Sequence, residues 1–341
     1  MSLEVGIIGL GRQTVEEHIP ALNLIANISV KAICDIKKDR IIEAKINLKN
    51  NHSIKEYTSF KDMLCENRFD FIIVGLPHDQ YIDCIKLAAE KKVDILKEKP
   101  FARNIDEANA IFNLIEQYDV RLMTACQRRF HPLYKEFKDL IPTLGRIKWI
   151  EARYTIPSKN PNSEWRSSKE KAGGGVMLDM GYHIFDILMW FFEPLVEVYA
   201  ITLNHRPNIY SVEDTAFIRF KTHKKNEPDC LIDGSIFISC IYPEKLDELI
   251  ILGEKGSAKL NSKEYTFWNN AHIVKANNKF EAVDRWLEAS KEQIDEFCEA
   301  HGDRGWKKYF GNPHFQMMHH VPLFEALYNS ADTHQPVKIN G

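Results

Sequence analysis

The sequence predicts an α/β, Rossmann-like domain over residues 1–124 followed by an α+β domain over residues 125–341. Three observations carry that prediction. A chain of 341 residues exceeds what one hydrophobic core usually supports, so two domains of ordinary size are expected. From residue 3 to about residue 122, short β-rich runs alternate with amphipathic helical stretches, as in βαβ units stacked into a parallel sheet. After about residue 125 the runs lengthen and alternate apolar with polar, as half-buried antiparallel strands do.

In the first domain the β-rich runs are 3–8, 29–34, 71–76, 93–97 and 120–124, separated by helical stretches near 14–26, 38–48, 59–66, 80–91 and 105–117. In the second, Ile147–Tyr154 and Thr215–Phe220 alternate, and later strands are expected at 231–240, 247–253 and 257–260. Turn signals fall at Tyr242-Pro243 and at Gly253-Glu254-Lys255-Gly256.

Composition narrows the function. With 44% hydrophobic residues, 27% charged residues and a formal net charge of −3, the chain is globular and offers no electrostatic reason to bind nucleic acid. The 7 cysteines are scattered and form no C-x-x-C pair, which disfavours a disulfide framework or a zinc site and points to a cytoplasmic setting. Val5-Gly6-Ile7-Ile8 begins too early to leave room for a signal segment, and Ile184 to Phe192, interrupted by Asp186, is too short to span a membrane.

The first strand runs into Gly9-Leu10-Gly11-Arg12-Gln13-Thr14 and then a helical stretch. Gly9 makes a tight turn and Gly11 lets backbone approach a pyrophosphate seated on the helix N-terminus. A plain tight turn reads the same way, so the strand-turn-helix context carries the weight. Thr14 stands where a third glycine would be, and Thr14-Val15-Glu16-Glu17 matches a capping box. The second strand ends in Asp35, whose carboxylate can accept from both adenosine ribose hydroxyls and so favours NAD. Lys37, Lys38 and Arg40 leave NADP open, their other reading being a solvated helix start.

Val93-Asp94-Ile95-Leu96-Lys97 reads as a strand ending in Glu98-Lys99-Pro100, at the carboxyl edge where open α/β sheets bind ligands. Pro100 restricts Lys99 to extended geometry, and that peptide bond can be cis. A cation there can stabilise an alkoxide developing as hydride leaves a carbinol carbon; the rival reading is a surface lysine at a strand end.

The run Val5 to Leu22, Asp35, and Ile95-Leu96-Lys97-Glu98-Lys99-Pro100-Phe101-Ala102 resembles the Gfo/Idh/MocA oxidoreductases, and the similarity extends over essentially the whole chain. Gln127-Arg128-Arg129-Phe130, Trp165-Arg166, Gly173-Gly174-Gly175 and Asp179-Met180-Gly181-Tyr182-His183 follow in the family's order. The resemblance implies an open, mainly antiparallel sheet in the second domain, commonly used for homodimers or homotetramers. It implies an NAD(P)-dependent dehydrogenase or reductase acting on the CH-OH group of a sugar, polyol or sugar derivative. An NAD-assisted glycosidase and a non-catalytic dinucleotide-sensing regulator are the alternatives within that resemblance.

Carried over position by position, the resemblance makes Lys99, Asp179 and His183 catalytic. It places Gly9, Gly11, Arg12, Gln13, Asp35, Leu76, Pro77, His78, Tyr81, Glu98, Lys99 and Gln127 at the cofactor. Lys99, Arg128, Trp165, Arg166, Asp179 and His183 are placed at the substrate. The chain departs from the family at Tyr81, where many members have histidine, and has His78 three residues earlier.

Asp179, His183 and Asp186 are spaced to project from one helical face, either as a catalytic stripe or as a buried histidine held by two carboxylates. Gly173-Gly174-Gly175 is expected to pass close to ligand or to form a flexible turn. Trp165-Arg166 reads as part of a lid or as an oligomer contact. His314, His319 and His320 lack acid or cysteine partners at metal-ligand spacing, so no metal is expected.

Overall fold

The computed structural model describes residues 2–49, 53–225, 227–269, 272–277, 285–299 and 311–339. They fall into two compact units: Met1–Phe130 with Trp286–Met317, and His131–Arg285 with Met318–Gly341.

The first unit is built on six parallel strands, β1 (Leu3–Ile8), β2 (Ile28–Cys34), β3 (Lys55–Tyr57), β4 (Phe71–Val74), β5 (Asp94–Lys97) and β6 (Leu122–Thr124), in the order β3-β2-β1-β4-β5-β6. Helices cover a parallel sheet on both faces, which is why β4 is an uninterrupted apolar run, Phe71-Ile72-Ile73-Val74, fully buried. The helix Ile105–Tyr118 shows how local chemistry sets the ends: the Asn104 side chain accepts from the Glu107 amide, and Asp119 closes the helix in the left-handed region at φ 50°. β3 escapes sequence detection because Lys55-Glu56-Tyr57 is a three-residue edge strand with little burial to impose a pattern. The late helix Arg285–Glu299 also packs here, placing Ile294 and Phe297 in the core, with Phe297 edge-on to Phe71 at 5.3 Å.

The second unit holds a nine-stranded sheet of β7 (Ile147–Pro157), β8 (Glu197–Leu203), β9 (Thr215–Lys224), β10 (Glu227–Ser239), β11 (Ile241–Gly253), β12 (Ser257–Asn261), β13 (Tyr265–Asn269), β14 (His272–Asn277) and β15 (Val337–Lys338). Their order is β14-β13-β12-β11-β7-β10-β9-β8-β15, and every pair is antiparallel except β7 with β10. Period-two alternation buries Ile150, Ala152, Ile218, Phe220, Ile236 and Ile238 on one face and leaves Phe217 and Tyr242 on the other. Among the described residues no helix is long and apolar enough to cross a membrane.

Two local expectations change. Tyr242-Pro243 is not a turn: β11 runs through it, and the proline sits where the register against β7 jumps between Ile241 and Leu246, a break that tolerates a missing N–H. The expected helix at 14–26 is a π turn, Thr14–His18, continued by a short α segment, Ile19–Leu22.

Candidate active site

In the first unit, β1 and β4 flank the point where strand order reverses, the place where doubly wound sheets bind ligands. Gly9 leaves β1 at φ 85°, and its amide donates to the Cys34 carbonyl at 2.8 Å. A Cβ on Gly9 would lie 2.4 Å from the Gly75 carbonyl oxygen, so two backbones cross here. A Cβ on Gly11 would meet nothing within 4 Å, leaving open space beside the first helical turn.

Thr14 is not the capping residue of a capping box. It lies inside the turn, 1% exposed, and its hydroxyl donates to the Gly9 carbonyl at 2.7 Å. A Cβ on Gly75 would come within 2.6 Å of that hydroxyl oxygen, so the threonine fills the crossing that a third glycine would leave empty. Gln13 occupies the N-cap position without a side-chain cap, and Arg12, 84% exposed at its side chain, lies 3.6 Å from Glu16.

Asp35, 7% exposed, accepts from the Leu10 amide and the Lys37 amide, each at 2.8 Å, with the Arg40 guanidinium at 3.7 Å. The carboxylate therefore ties the glycine loop to the end of β2 and keeps further lone pairs for a hydroxyl.

β5 ends at Lys97, and Glu98 and partly exposed Lys99 follow, with a cis Lys99–Pro100 peptide bond. Glu98 is buried and binds His18, Oε1 to Nε2, at 2.7 Å. Burial opposes charge on the His18 ring, but the Glu98 hydrogen bond and the charges of Glu98 and Glu17 outweigh it and raise the imidazole above its usual range. Burial and the Glu98 charge raise the Glu17 carboxyl as well, and Glu17 accepts from Gln127 Nε2 at 3.1 Å.

The structure thus joins Gln127, Glu98 and, through them, half-buried Glu17 and buried His18 into one polar group; His18 carries no sequence signal, and Glu17 carries only that of the capping box. Arg128 is buried at 8% exposure. Leu76 and Pro77 are partly exposed, whereas His78 and Tyr81 are buried and stack on each other at 5.7 Å. The face of Tyr81 is taken by the Lys97 ammonium, 3.9 Å from the ring centre.

In the second unit the expected polar stripe divides. The helix Val176–Asp179 ends at Met180, and a second helix runs Gly181–Phe191. Asp179 and His183 stay partly exposed, but Asp186 is 2% exposed and meets buried His320, Nε2 to Oδ1, at 3.5 Å. The buried histidine beside a carboxylate is therefore His320, more than a hundred residues away in sequence, and not His183. His183 has Tyr154 edge-on at 6.5 Å. Asp179 accepts from Arg166 Nε at 3.2 Å, and the Arg166 guanidinium lies 4.2 Å over the ring of partly exposed Trp165.

The glycine run is shaped from inside the protein. A Cβ on Gly174 would lie 1.7 Å from the Tyr328 hydroxyl oxygen, and one on Gly175 would lie 1.9 Å from the Glu213 carbonyl oxygen. Glu213 Oε1 accepts from the Gly175 and Met177 amides and the Tyr328 hydroxyl, each at 3.0 Å. Desolvation raises the Glu213 carboxyl above its usual range, against those hydrogen bonds. Nothing in the sequence marks Glu213. His314 instead meets Glu116 at 3.2 Å in the first unit, and no cluster of three metal-ligating side chains occurs among the described residues.

A six-stranded doubly wound sheet with a glycine turn at its switch point is the architecture of a dinucleotide-binding domain. Residues 3–126 match the oxidoreductase family with an NAD-binding Rossmann fold, and residues 134–259 match the GFO/IDH/MocA C-terminal domain. The chain belongs to the Gfo/Idh/MocA family.

The uncharacterized oxidoreductase YrbE of Bacillus subtilis is 28% identical over 321 residues, 91% of this chain and 90% of that one. Myo-inositol 2-dehydrogenase of Thermotoga maritima is 27% identical over 202 residues, 58% of each chain. A solved levoglucosan dehydrogenase, in complex with NADH and levoglucosan, shares the fold over 100% of both chains with TM-score 0.80 at 17% identity.

Proposed function

We propose that this chain oxidises, reversibly, a secondary alcohol on a sugar, polyol or sugar derivative. One observation carries the reading: partly exposed Lys99 lies just past the end of β5, and Gly9 and open Gly11 past β1, Gly75 past β4 and Asp35 past β2 lie at the same edge of the parallel sheet, where they would form a dinucleotide cradle. Similarity to a myo-inositol dehydrogenase and a levoglucosan dehydrogenase supports the substrate class.

The cradle residues fit a nicotinamide dinucleotide. Gly9, Gly11, Arg12 and Gln13 would hold its pyrophosphate, Asp35 its adenosine ribose, and Leu76, Pro77, His78, Glu98 and Gln127 its nicotinamide half. When bound, the nicotinamide supplies a hydride acceptor or donor. Lys99 polarises the carbinol oxygen, His183 takes or returns the hydroxyl proton, and Asp179 orients the substrate together with Arg166 and Trp165. Arg128 supports the substrate side. Tyr81 acts at one remove, by seating Lys97.

NAD is preferred over NADP, because Asp35 accepts hydroxyl protons and repels a 2′-phosphate, with Arg40 only partly offsetting it. A spectrophotometric screen of sugars and polyols with each cofactor tests substrate class and preference together. Reduction of NADP alone would sink the preference, and failure of every polyol would sink the activity.

Exposed Phe217, Tyr242, Ile201 and Leu203 gather on the outer face of the nine-stranded sheet, and a second copy of the chain is proposed to cover them in a homodimer or homotetramer. Light scattering showing a monomer at micromolar concentration would refute that. All 7 cysteines are free, which supports a cytoplasmic location, to be checked by cell fractionation.

A further inference from the structure

Lys97 is fully buried between apolar Leu96 and the turn that follows, a place where leucine or valine would pack without cost. Burying an ammonium calls for compensation. Here it comes from backbone: Nζ donates to the carbonyls of Glu98 at 2.8 Å, Pro100 and Phe101 at 3.3 Å. Those carbonyls lie beyond the ladder of β5, whose pairing with β4 and β6 ends at Lys97 itself. Turn carbonyls past a strand end otherwise need water or another donor. The Tyr81 ring receives the same ammonium from below, which gives the aromatic residue at that position a role.

We infer that Lys97 is a positioning residue for the reaction: its ammonium fixes the backbone of Glu98 through Phe101 and so fixes where Lys99 projects. This rests on the reading of Lys99 given above. Three N–H bonds match three carbonyls. A neutral amine keeps two N–H bonds and turns a lone pair toward the third carbonyl, so loss of the proton loosens the turn.

The charged and titratable groups facing Lys97 are Glu107 from the helix Ile105–Tyr118, Tyr81 from the helix Tyr81–Glu90, Glu98 and Lys99 from its own turn, and Cys126 beyond β6. Burial lowers the Lys97 ammonium to about 7, with Glu107 and Glu98 pulling it back up. The turn is therefore fully held below neutral pH and released as pH rises through about 7.

The test compares wild type with Lys97→Met, which keeps length and removes every donor, on a substrate from the sugar and polyol screen between about pH 6 and 9. The variant is expected to lose about tenfold or more in kcat at pH 6 with KM within about threefold. The wild-type to variant kcat ratio should fall as pH rises through the Lys97 transition. Equal kcat and parallel pH profiles overturn the proposal.

A second measurement needs neither a substrate nor a stable variant: the rate at which an amine-reactive reagent labels Lys99 in wild type, read by peptide mass spectrometry against exposed Lys169. An inflection near neutrality at Lys99, absent at Lys169, supports the coupling. A log-linear rise at both lysines overturns it. Because this arm does not use turnover, it separates a failure of the Lys97 proposal from a failure of the proposed activity.

Discussion

Two loops of this molecule carry or lead into the proposed reactive groups, and each is held by one enclosed ionisable side chain, with opposite charge and opposite reach. The turn bearing Lys99 hangs on Lys97, which donates to carbonyls one, three and four residues away. The glycine run leading to Asp179 hangs on Glu213, which accepts from amides 38 and 36 residues away and from Tyr328, 115 residues away. The first clamp is written into a stretch of five residues. The second exists only after β9 and the helix Val321–Thr333 have come to the same place. A local clamp forms with its loop, whereas a long-range clamp makes its loop depend on the whole unit.

The largest effect should come from breaking the claim that both loops serve one reaction. Lys99→Ala and His183→Ala are each expected to lower kcat by roughly 10²–10⁴-fold on an identified substrate. If both act in one step, the double variant should fall little below the worse single variant. Strictly multiplicative losses would show two independent contributions and would separate the loops functionally.

The opposite charges of the clamps predict opposite pH dependences of stability. The Lys97 ammonium is lowered from 10.5 to about 7, so between those values the unfolded chain binds more protons and stability rises with pH. The full span is worth on the order of 5 kcal/mol at ~1.4 kcal/mol per unit. The Glu213 carboxyl is raised above 4.5, so above that pH the folded chain holds the extra proton and stability falls as pH rises through the folded-state transition. Urea titrations of wild type, Lys97→Met and Glu213→Gln across pH isolate each slope by difference. A wild-type minus Lys97→Met difference that stays flat above pH 7 would remove the buried charge from the account.

A smaller effect sharpens the contrast between glycines that serve the fold and one proposed to serve a ligand. Gly174→Ala drives a methyl into the Tyr328 hydroxyl and should cost about 2–4 kcal/mol by separating Tyr328 from Glu213. Gly11→Ala enters open space and should leave stability within about 1 kcal/mol while weakening NADH binding, measured by fluorescence titration. An unfolded Gly11→Ala protein, or an unperturbed Gly174→Ala protein, would reverse the assignment.

The same distinction governs what the sequence made legible. Strands β1, β2, β4 and β5, the Gly9 turn, Asp35 and the Glu98-Lys99-Pro100 strand end all follow from patterns contained within about ten residues, and the family resemblance reads them directly. Thr14 matches a capping box in sequence, but its hydroxyl donates to the Gly9 carbonyl beside the Gly75 crossing instead. Asp186 shares the helical spacing of Asp179 and His183, yet His320 draws it into the core. Glu213 and His18 leave no mark in sequence, since each is defined by partners tens of residues away. Lys97 leaves a faint one: a lysine following apolar Ile95 and Leu96 at the end of an interior strand.

The smallest effect concerns a contact that joins two residues expected from sequence to share the substrate. Arg166 reaches Asp179 at 3.2 Å, but its side chain is 47% exposed, and exposed ion pairs contribute about 0–1 kcal/mol. Arg166→Ala should therefore leave the urea midpoint almost unmoved. If the pair serves substrate binding, KM should rise several-fold at nearly constant kcat, because a guanidinium freed by substrate from Asp179 binds ground state and transition state alike. A fall in kcat with unchanged KM would instead mean that Arg166 sets the orientation of Asp179 during the reaction, making this long-range loop as tightly coupled to chemistry as the local one.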